Sequence, residues 1–363
     1  MNLATHADLS TQPSGWPILG HDRPVAMLRR SLREDRLVHA YLFTGPEGVG
    51  KRTLALAFAM ALNCQAEPSP GQSAPDMPCG LCASCSRISR GTHPDVVEVN
   101  LETQAQMLAD TPGRVKSGPA KELKIDIIRE MQSTVGLHPY MGRWRVYIIG
   151  DADRLNEEAS NCMLKTLEEP PSHTILALLA PDEDSVLPTI SSRCLHVALR
   201  PLQRRLVADG LANLWGAEKE QAETAAALSG GRPGYALSLA GEPERMARRK
   251  AALEELALLS GMPPSERINK ANTLAKMFTD ARADLYDLLD VWEGWWRDVL
   301  VVRSSASELA VNVDQLPTLA SVAHRVTAQR ASGAIGLIQA TRRQLFENVN
   351  PRLALEALTL GLP

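Results

Sequence analysis

The segment that decides the fold is Leu42-Phe43-Thr44-Gly45-Pro46-Glu47-Gly48-Val49-Gly50-Lys51. A short apolar run, Ala40–Phe43, leads into it, and a helical pattern, Lys51–Asn63, follows it. Closely spaced glycines let a backbone curl so that its N–H groups point at a phosphate, and the helix N-terminus adds its positive dipole end. The segment therefore predicts a phosphate loop between a strand and a helix, and its candidate nucleotide-binding residues are Gly45, Gly48, Gly50 and Lys51.

The residue after the loop lysine departs from the pattern of a working phosphate loop. Lys51 would reach the outer phosphates, and the next residue is normally a Ser or Thr whose hydroxyl holds magnesium. Here that position is Arg52, and Thr53 follows one residue later, about 100° further around the helix. The loop is therefore predicted to be degenerate. One alternative is a glycine-rich turn that only packs a helix against the sheet, and the sequence leaves the binding of ATP or ADP open.

The acidic pair of an ATPase is also incomplete. Such an enzyme needs one carboxylate that anchors magnesium and a second that orients the attacking water, both directly after a later strand. After the apolar run Val146–Ile149 the chain continues Gly150-Asp151-Ala152-Asp153. Gly150 takes the magnesium position and Asp151 the water-orienting position, and Asp151 or Asp153 could restore the site only if the strand register shifts. Together with Arg52, this second defect predicts that the chain alone hydrolyses no ATP.

Short apolar runs alternate with helical patterns over the first two hundred residues, which predicts a parallel α/β sheet. The predicted strands are Ala40–Phe43, Val96–Val99, Val146–Ile149, Ile175–Leu179 and Cys194–Leu199, and the helices between them are Lys51–Asn63, Lys124–Thr134 and Glu157–Glu168. After Pro201 only helical patterns remain. We expect an α/β domain in residues 1–200 with an insertion at about 64–94, a small helical lid in 201–242, and a helical C-terminal domain in 243–363.

Four cysteines in the insertion have the spacing of a metal site. Cys64, Cys79, Cys82 and Cys85 form a C-x14-C-x2-C-x2-C pattern, and Gly80 suits the tight turn inside the first short spacing. Four thiolates make a closed tetrahedral site for zinc. The alternatives are four unrelated buried thiols or a redox pair with two bystanders. The two other cysteines, Cys162 and Cys194, are expected to be packing residues.

Composition limits the classes of function. The chain has 363 residues, a net charge of −3 and 4% aromatic residues, and it lacks the basic stripe of a protein that holds DNA alone. Met1–Ser14 has no apolar core of a signal peptide, and no run of eighteen apolar residues occurs. A cytoplasmic protein is expected, and its reducing compartment favours metal-bound cysteines over disulfides. The basic cluster Arg245, Arg248, Arg249 and Lys250 is expected to be a solvated helix face.

The region from residue 153 to 194 carries a more specific signal. Asn161–Pro171, which contains LKTLEEPP, and Leu187–Cys194, which reads LPTISSRC, resemble the bacterial clamp-loader family of AAA+ proteins. His39–Phe43, His93–Asp95 and Asn348–Glu356 are similar to the same family. The resemblance therefore extends over nearly the whole chain.

This resemblance implies a fold, partners and a role. The family contains ATP-hydrolysing subunits, gamma and tau, and subunits that do not hydrolyse ATP. Arg52, Gly150 and Ala180-Pro181, where the ATPases carry a polar sensor, place the chain with the second group. Among those, the retained Ser192, Arg193 and Cys194 (the SRC motif) favour the delta-prime type over delta.

The implied assembly is a hetero-pentamer of the DNA polymerase III system. In it the chain would join gamma or tau and delta and help to load the sliding clamp onto primed DNA. Arg193 would reach across the subunit border to a neighbour's ATP, where an arginine is worth about 10³–10⁵ in rate in other NTPases. From spacing alone, an arginine at the start of a strand is usually one half of a surface ion pair. The helical C-terminal domain would form the collar that joins the subunits, and the zinc module resembles that of clamp-loader subunits.

Two other functions stay open at this stage. An autonomous AAA+ ATPase, such as a recombination motor, is disfavoured by Arg52 and Gly150 and would be detected by its own ATPase activity. A zinc-dependent nucleic-acid-binding protein is disfavoured by the net charge of −3, and a salt-dependent DNA titration would detect it.

The C-terminal region contains an apolar stripe at helical spacing. It is expected to be a helix core, and Trp295, which lies beside it, is a candidate interface anchor if its side chain is exposed. The stripe consists of Leu285, Leu288, Leu289, Trp292 and Trp296.

Overall fold

The computed structural model describes residues 15–68, 75–109, 122–346 and 349–363. The N-terminal segment Met1–Ser14, part of the Glu67–Pro78 loop and Asn348 of the family-like C-terminal motif lie outside these ranges. Contacts divide the described chain into two compact units. One contains the residues up to Gly216 together with Gly231–Tyr235, and the other contains Ala217–Gly230 and Ala236–Pro363. The division into three domains stays a prediction.

The first unit is built on a parallel sheet. Its five described strands are β1 (Ala40–Thr44), β2 (Val96–Val99), β3 (Arg145–Ile149), β4 (Thr174–Ala180) and β5 (Leu195–Ala198), in the spatial order β2-β3-β4-β1-β5. All pairings among them are parallel. Every residue of β1, β3 and β4 is buried, which explains their continuous apolar runs. The predicted strands are confirmed to within two residues at each end.

Helices cover both faces of this sheet. They are α1 (Asp22–Arg33), α2 (Lys51–Leu62), α3 (Ala83–Ser89), α4 (Leu101–Ala109), α5 (Ile125–Val135), α6 (Glu157–Glu168), α7 (Pro188–Ser191) and α8 (Arg204–Trp215). Because strand side chains alternate, Tyr41 and Phe43 pack with Phe58 of α2 on one face, while Leu42 and Tyr147 pack in a second core on the other.

Helix α6 shows how the family-like segment is shaped locally. The side chain of Asn156 accepts a hydrogen bond from the Ala159 N–H at 2.9 Å and caps the helix, and two acidic residues occupy its first turn. The helix ends at Glu168, ahead of Pro170-Pro171, which cannot continue it. The capping asparagine and the two prolines therefore place Glu168 at the last helical position.

The second unit is helical. It contains α9 (Lys219–Leu228), most of α10 (Pro233–Gly241), α11 (Pro243–Leu259), α12 (Pro264–Asp280), α13 (Arg282–Arg303), α14 (Leu316–Arg325), α15 (Ala328–Phe346) and α16 (Pro351–Gly361). The predicted apolar stripe lies on α13 and is buried. None of the helices in the described ranges is long and apolar enough to cross a bilayer.

The structure corrects two points for this unit. Trp295 is only 7% exposed and belongs to the same core as Trp292, because α13 is covered by helices on several sides. It therefore cannot serve as an exposed anchor. Arg249 is also buried, at 7% exposure, since its guanidinium donates to Asp314 at 2.8 and 2.9 Å and to the Asn312 side chain at 2.5 Å. Arg249 therefore belongs to a buried polar network, whereas Arg248 and Lys250 of the same basic cluster are exposed, as expected.

Candidate functional site: phosphate loop, surface arginine and cysteine cluster

The phosphate loop has the predicted position, between the carboxyl end of β1 and the first turn of α2. Gly48 and Gly50 have φ angles of 75° and 114°, which an L side chain rarely adopts. The loop is closely packed, because a Cβ atom at Gly45 would come within 2.4 Å of the Leu199 carbonyl oxygen. The glycines are therefore required by the shape of the turn itself.

Lys51 is bonded to its own loop. Its ammonium donates to the carbonyl oxygens of Gly45, at 2.5 Å, and Pro46, at 3.2 Å. Burial lowers the pKa of Lys51, and the charges of Glu47, Asp153 and Asp151 partly oppose that effect. The charge that would neutralise a phosphate is thus directed at backbone carbonyls.

Arg52 occupies the magnesium-ligand position and is engaged elsewhere. Its Nε and Nη2 groups donate to the two carboxylate oxygens of Glu98, on β2, at 2.6 and 2.7 Å. This two-pronged pair fixes the planar guanidinium beside the sheet edge. Thr53, the nearest hydroxyl in sequence, is exposed on α2. The first turn of α2 therefore presents a paired cation where a metal ligand would belong.

The structure around the acidic position after β3 also differs from that of a magnesium site. A side chain at Gly150 would bring its Cβ within 3.1 Å of the Asn100 Cβ, so a carboxylate there would be crowded. Asp151 has a left-handed φ of 52°, and its carboxylate accepts a hydrogen bond from the Leu101 N–H at 3.2 Å. Burial raises the pKa of Asp153. The Asp151 carboxylate is thus held at the start of α4.

A contact that the sequence did not predict covers the apex of the loop. The N–H of Gly234 donates to the Gly48 carbonyl at 2.8 Å. The backbone nitrogen of Tyr235 lies 2.9 Å from the point where a Cβ on Gly48 would sit. A Cβ on Gly234 would lie 3.1 Å from the Gly48 carbonyl oxygen, so the missing side chain allows this close backbone approach. The phosphate loop is consequently capped by its own chain.

Arg193 lies on the surface, between α7 and β5. Its side chain is 37% exposed, its Nη2 group donates to a carboxylate oxygen of Glu168 at 2.7 Å, and its Nη1 group donates to the Thr189 carbonyl at 2.9 Å. The flanking Ser192 bonds locally to Thr189, and burial raises the pKa of the Cys194 thiol to about 12. Of the SRC motif, Arg193 alone presents a charged group to solvent.

The four predicted metal ligands lie together. The sulfur atoms of Cys64, Cys79, Cys82 and Cys85 are all within 4.8 Å of one another, and those of Cys79 and Cys85 are 4.0 Å apart. A tetrahedral site with metal–sulfur bonds of about 2.3 Å requires sulfur–sulfur distances of about 3.8 Å. Small side-chain movements would close that difference, so the donor set fits one soft tetrahedral cation.

Backbone N–H groups also favour thiolates in this cluster. Those of Cys79, Cys82 and Cys85 donate to the sulfurs of Cys64, Cys79 and Cys82 at 3.3 to 3.4 Å. Burial tends to raise the pKa of Cys82, but these and neighbouring hydrogen bonds outweigh it and lower the pKa to about 7. Burial raises the pKa of Cys64 and Cys85. A bound cation would be needed to stabilise all four thiolates together.

A buried acid to which the sequence pattern assigned no role, Asp76, connects the cysteine-containing insertion with α1. Asp76 accepts hydrogen bonds from Arg29 and Arg33 of α1 at 2.6 to 3.0 Å. Asp95 ends the family-like His93-Pro94-Asp95 segment, and His93 bonds to Ser84 of α3 at 3.1 Å. Asp76 and His93 therefore attach the cysteine-containing insertion to other parts of the first unit.

The parallel sheet order and the phosphate loop after β1 define a P-loop protein of the AAA+ class, followed by a helical C-terminal region. Comparison with protein families is consistent with both parts. The family model described as "DNA polymerase III, delta subunit" matches residues 20–203, and that of its C-terminal region matches 243–362. The chain belongs to this DNA polymerase III subunit family.

Curated relatives have related names. The delta' subunit of Pseudomonas aeruginosa is 34% identical over 58% of this chain and 58% of that protein. The tau subunit of Bacillus subtilis is 27% identical over 95% of this chain and 60% of its own length. The tau/gamma subunit of Haemophilus influenzae is 33% identical over 54% of this chain and 25% of its own. The chain thus spans less than two thirds of these relatives.

Among solved structures, a DNA polymerase III gamma-subunit-related protein from Thermotoga maritima is 18% identical, covers 93% of this chain and 98% of its own, and has a TM-score of 0.43. The Holliday-junction branch-migration motor RuvB of the same organism is 14% identical, with a TM-score of 0.39 over 90% of this chain and 89% of its own.

Proposed function

We propose that this chain is a non-hydrolysing, delta-prime-type subunit of the DNA polymerase III clamp loader. The main support for the proposal is the contrast between the two sites. Residues of the chain itself bond to the phosphate loop, at Lys51 and Gly48, while Arg193 lies at the surface. Arg193 would then stabilise the transferring phosphoryl group in the nucleotide site of a neighbouring tau or gamma subunit. A charge that is fixed in place before the reaction is the most effective kind.

The contacts around the phosphate loop support the absence of hydrolysis. Lys51 donates to loop carbonyls, Arg52 is paired with Glu98, and the N–H of Gly234 caps Gly48. Gly150 and Arg52 occupy the two positions at which an ATPase carries its magnesium ligands, and neither residue supplies one. ATP or ADP binding is therefore not part of the proposed role.

The remaining parts of the proposal follow from the family membership and the cysteine cluster. Cys64, Cys79, Cys82 and Cys85 would hold one structural zinc ion, because four thiolates leave no open position for chemistry. The C-terminal helices, residues 243–363, would form the collar that joins the subunits, with 201–242 as the lid. The proposed partners are tau or gamma, delta, the sliding clamp and, through the complex, primed DNA in the cytoplasm.

The first experiment measures steady-state ATP hydrolysis by the isolated chain. We expect no activity above background, in the wild type and in Lys51→Ala alike. A turnover of about 1 s⁻¹ or more that Lys51→Ala abolishes would show that the chain is an autonomous ATPase.

The second experiment reconstitutes the complex with tau or gamma and delta and compares Arg193→Ala and Arg193→Lys with the wild type. The ion pair with Glu168 is partly exposed and contributes at most about 1 kcal/mol, so both variants should fold and assemble. We expect Arg193→Ala to lower DNA- and clamp-stimulated hydrolysis and clamp loading. Lys should restore only part of both, because a point charge lacks the planar fork of arginine.

Two results would contradict the trans role. If Arg193→Ala loads clamps at the wild-type rate, Arg193 has no part in the reaction. If the variant does not join the complex, Arg193 is an interface residue. Both results leave the family membership untouched, because that rests on the sequence match and not on Arg193.

A further inference from the structure

The guanidinium of Arg193 is held from two sides. Its Nη1 group donates to the carbonyl of Thr189, on α7, and its Nη2 group donates to Glu168, the last residue of α6. The distances are 2.9 and 2.7 Å, and the second is typical of a charge-assisted bond. Two separate helices therefore determine the orientation of one exposed side chain.

These two bonds leave donors available. A guanidinium carries five N–H groups in a rigid fork, and the two bonds use one from each terminal nitrogen. In the part of the chain that the structure describes, the Nε–H of Arg193 has no hydrogen-bond partner. Arg193 can thus keep both internal bonds and still donate to a phosphoryl oxygen of another molecule.

We infer that Glu168 is a positioning residue for Arg193. The inference rests on the proposed trans role of Arg193. By accepting from Nη2, Glu168 restricts the rotamers of a long, partly exposed side chain before the neighbouring nucleotide reacts. Less side-chain entropy is then lost on reaching the transition state. The substrate that this pair would serve is the triphosphate of a nucleotide bound by the adjoining subunit.

The charge of Glu168 and its hydrogen bond have opposite effects on the interaction of Arg193 with a phosphate. A carboxylate next to the guanidinium weakens its attraction for a phosphate, whereas the bond fixes its geometry. Glutamine retains an oxygen that can accept from Nη2 but carries no charge. Alanine removes both, and aspartate keeps the charge on a side chain that is one methylene shorter. The three replacements therefore separate positioning from electrostatics.

The experiment uses the reconstituted complex and measures kcat and KM for ATP with Glu168→Ala, Glu168→Gln, Glu168→Asp and Arg193→Ala. Glu169→Ala is the matched control, since this adjacent carboxylate is exposed and is not bonded to Arg193. We expect Glu168→Ala to lower the Arg193-dependent part of kcat about tenfold with an unchanged KM, because a misplacement of about 1 Å can cost up to 10²-fold. Glu168→Gln should stay within about twofold of wild type, and Glu168→Asp should resemble Glu168→Ala.

The outcomes distinguish this inference from the proposed function. If Arg193→Ala leaves kcat unchanged, Arg193 has no trans role. If Arg193→Ala lowers kcat but Glu168→Ala does not, the trans role stands and the positioning role of Glu168 is overturned. Equal losses in Glu168→Ala and Glu168→Gln also overturn it, as does a further loss from Glu168→Ala in an Arg193→Ala background. If Glu168→Ala fails to assemble, Glu168→Asp and Glu168→Gln decide the question in the same way.

Discussion

Asp95 offers a quantitative test of how the segment that leads into β3 is held in the first unit. Its carboxylate is fully buried and accepts hydrogen bonds from the N–H groups of Tyr140, Met141 and Gly142 at 2.7 to 2.8 Å. The Arg145 guanidinium lies 3.3 Å from it. Asp95→Asn replaces one carboxylate oxygen by an NH2 group of nearly the same size, so it changes the hydrogen bonding without creating a cavity.

The magnitude follows from these contacts. The best orientation of the amide keeps its oxygen on Met141 and Gly142 and sets its NH2 group against the N–H of Tyr140. One buried donor is then unsatisfied, at a cost of about 1–3 kcal/mol. Arg145 also loses its ionic partner, and breaking a buried pair costs about 3–5 kcal/mol. Because these terms overlap, we expect Asp95→Asn to lower the free energy of unfolding of the first unit by about 4 kcal/mol.

The assay is urea unfolding followed by circular dichroism, combined with hydrogen exchange of the amides from Tyr140 to Gly142. Asp182→Asn is the control, because the Asp182 carboxylate accepts one N–H bond, from Ser185, at an exposed site, and its loss should cost less than about 1 kcal/mol. The three amides should exchange faster in Asp95→Asn alone. A destabilisation no larger than that of Asp182→Asn would refute the reasoning.

Three further results are expected. The protein should contain one zinc ion, measured by atomic emission, and Cys79→Ser should lower that content, whereas Cys162→Ser should not. Trp295→Ala should destabilise the helical unit by about 3–5 kcal/mol in a thermal melt, since Trp295 is a core residue; a cost below about 1 kcal/mol would mean an exposed one. Burial tends to raise the pKa of Asp95, but its hydrogen bonds and Arg145 outweigh this and lower it. The contribution of Asp95 to the free energy of unfolding should therefore be complete above the unfolded-state pKa of about 3.9. It should decline as the pH falls through the lower folded-state pKa. The stability difference between wild type and Asp95→Asn should be constant from pH 5 to 7 and shrink in acid.

The sequence by itself was sufficient for the sheet and for the position of the phosphate loop. Buried parallel strands require continuous apolar runs, and a loop of closely spaced glycines before a helix has few other structural uses, so both signals are local. The same holds for Cys79, Cys82 and Cys85, because spacings of two residues bring thiolates together, whereas Cys64 reaches them only because the chain returns to the end of α2. The departures at Arg52 and Gly150 were also visible, since each is a residue type that lacks the required ligand atom.

Contacts between residues distant in the chain were decided by the tertiary structure alone. Gly234 caps Gly48 across 186 residues of sequence, and Arg52 finds Glu98 across 46. The burial of Trp295 and Arg249 was decided in the same way, because burial depends on which helices pack around α13 and α11 and not on the pattern within one helix. The partner of Arg193 is likewise set by where α6 ends beside α7. Hydrophobic periodicity defines which face of an element is buried, but only the assembled fold determines which polar groups meet there.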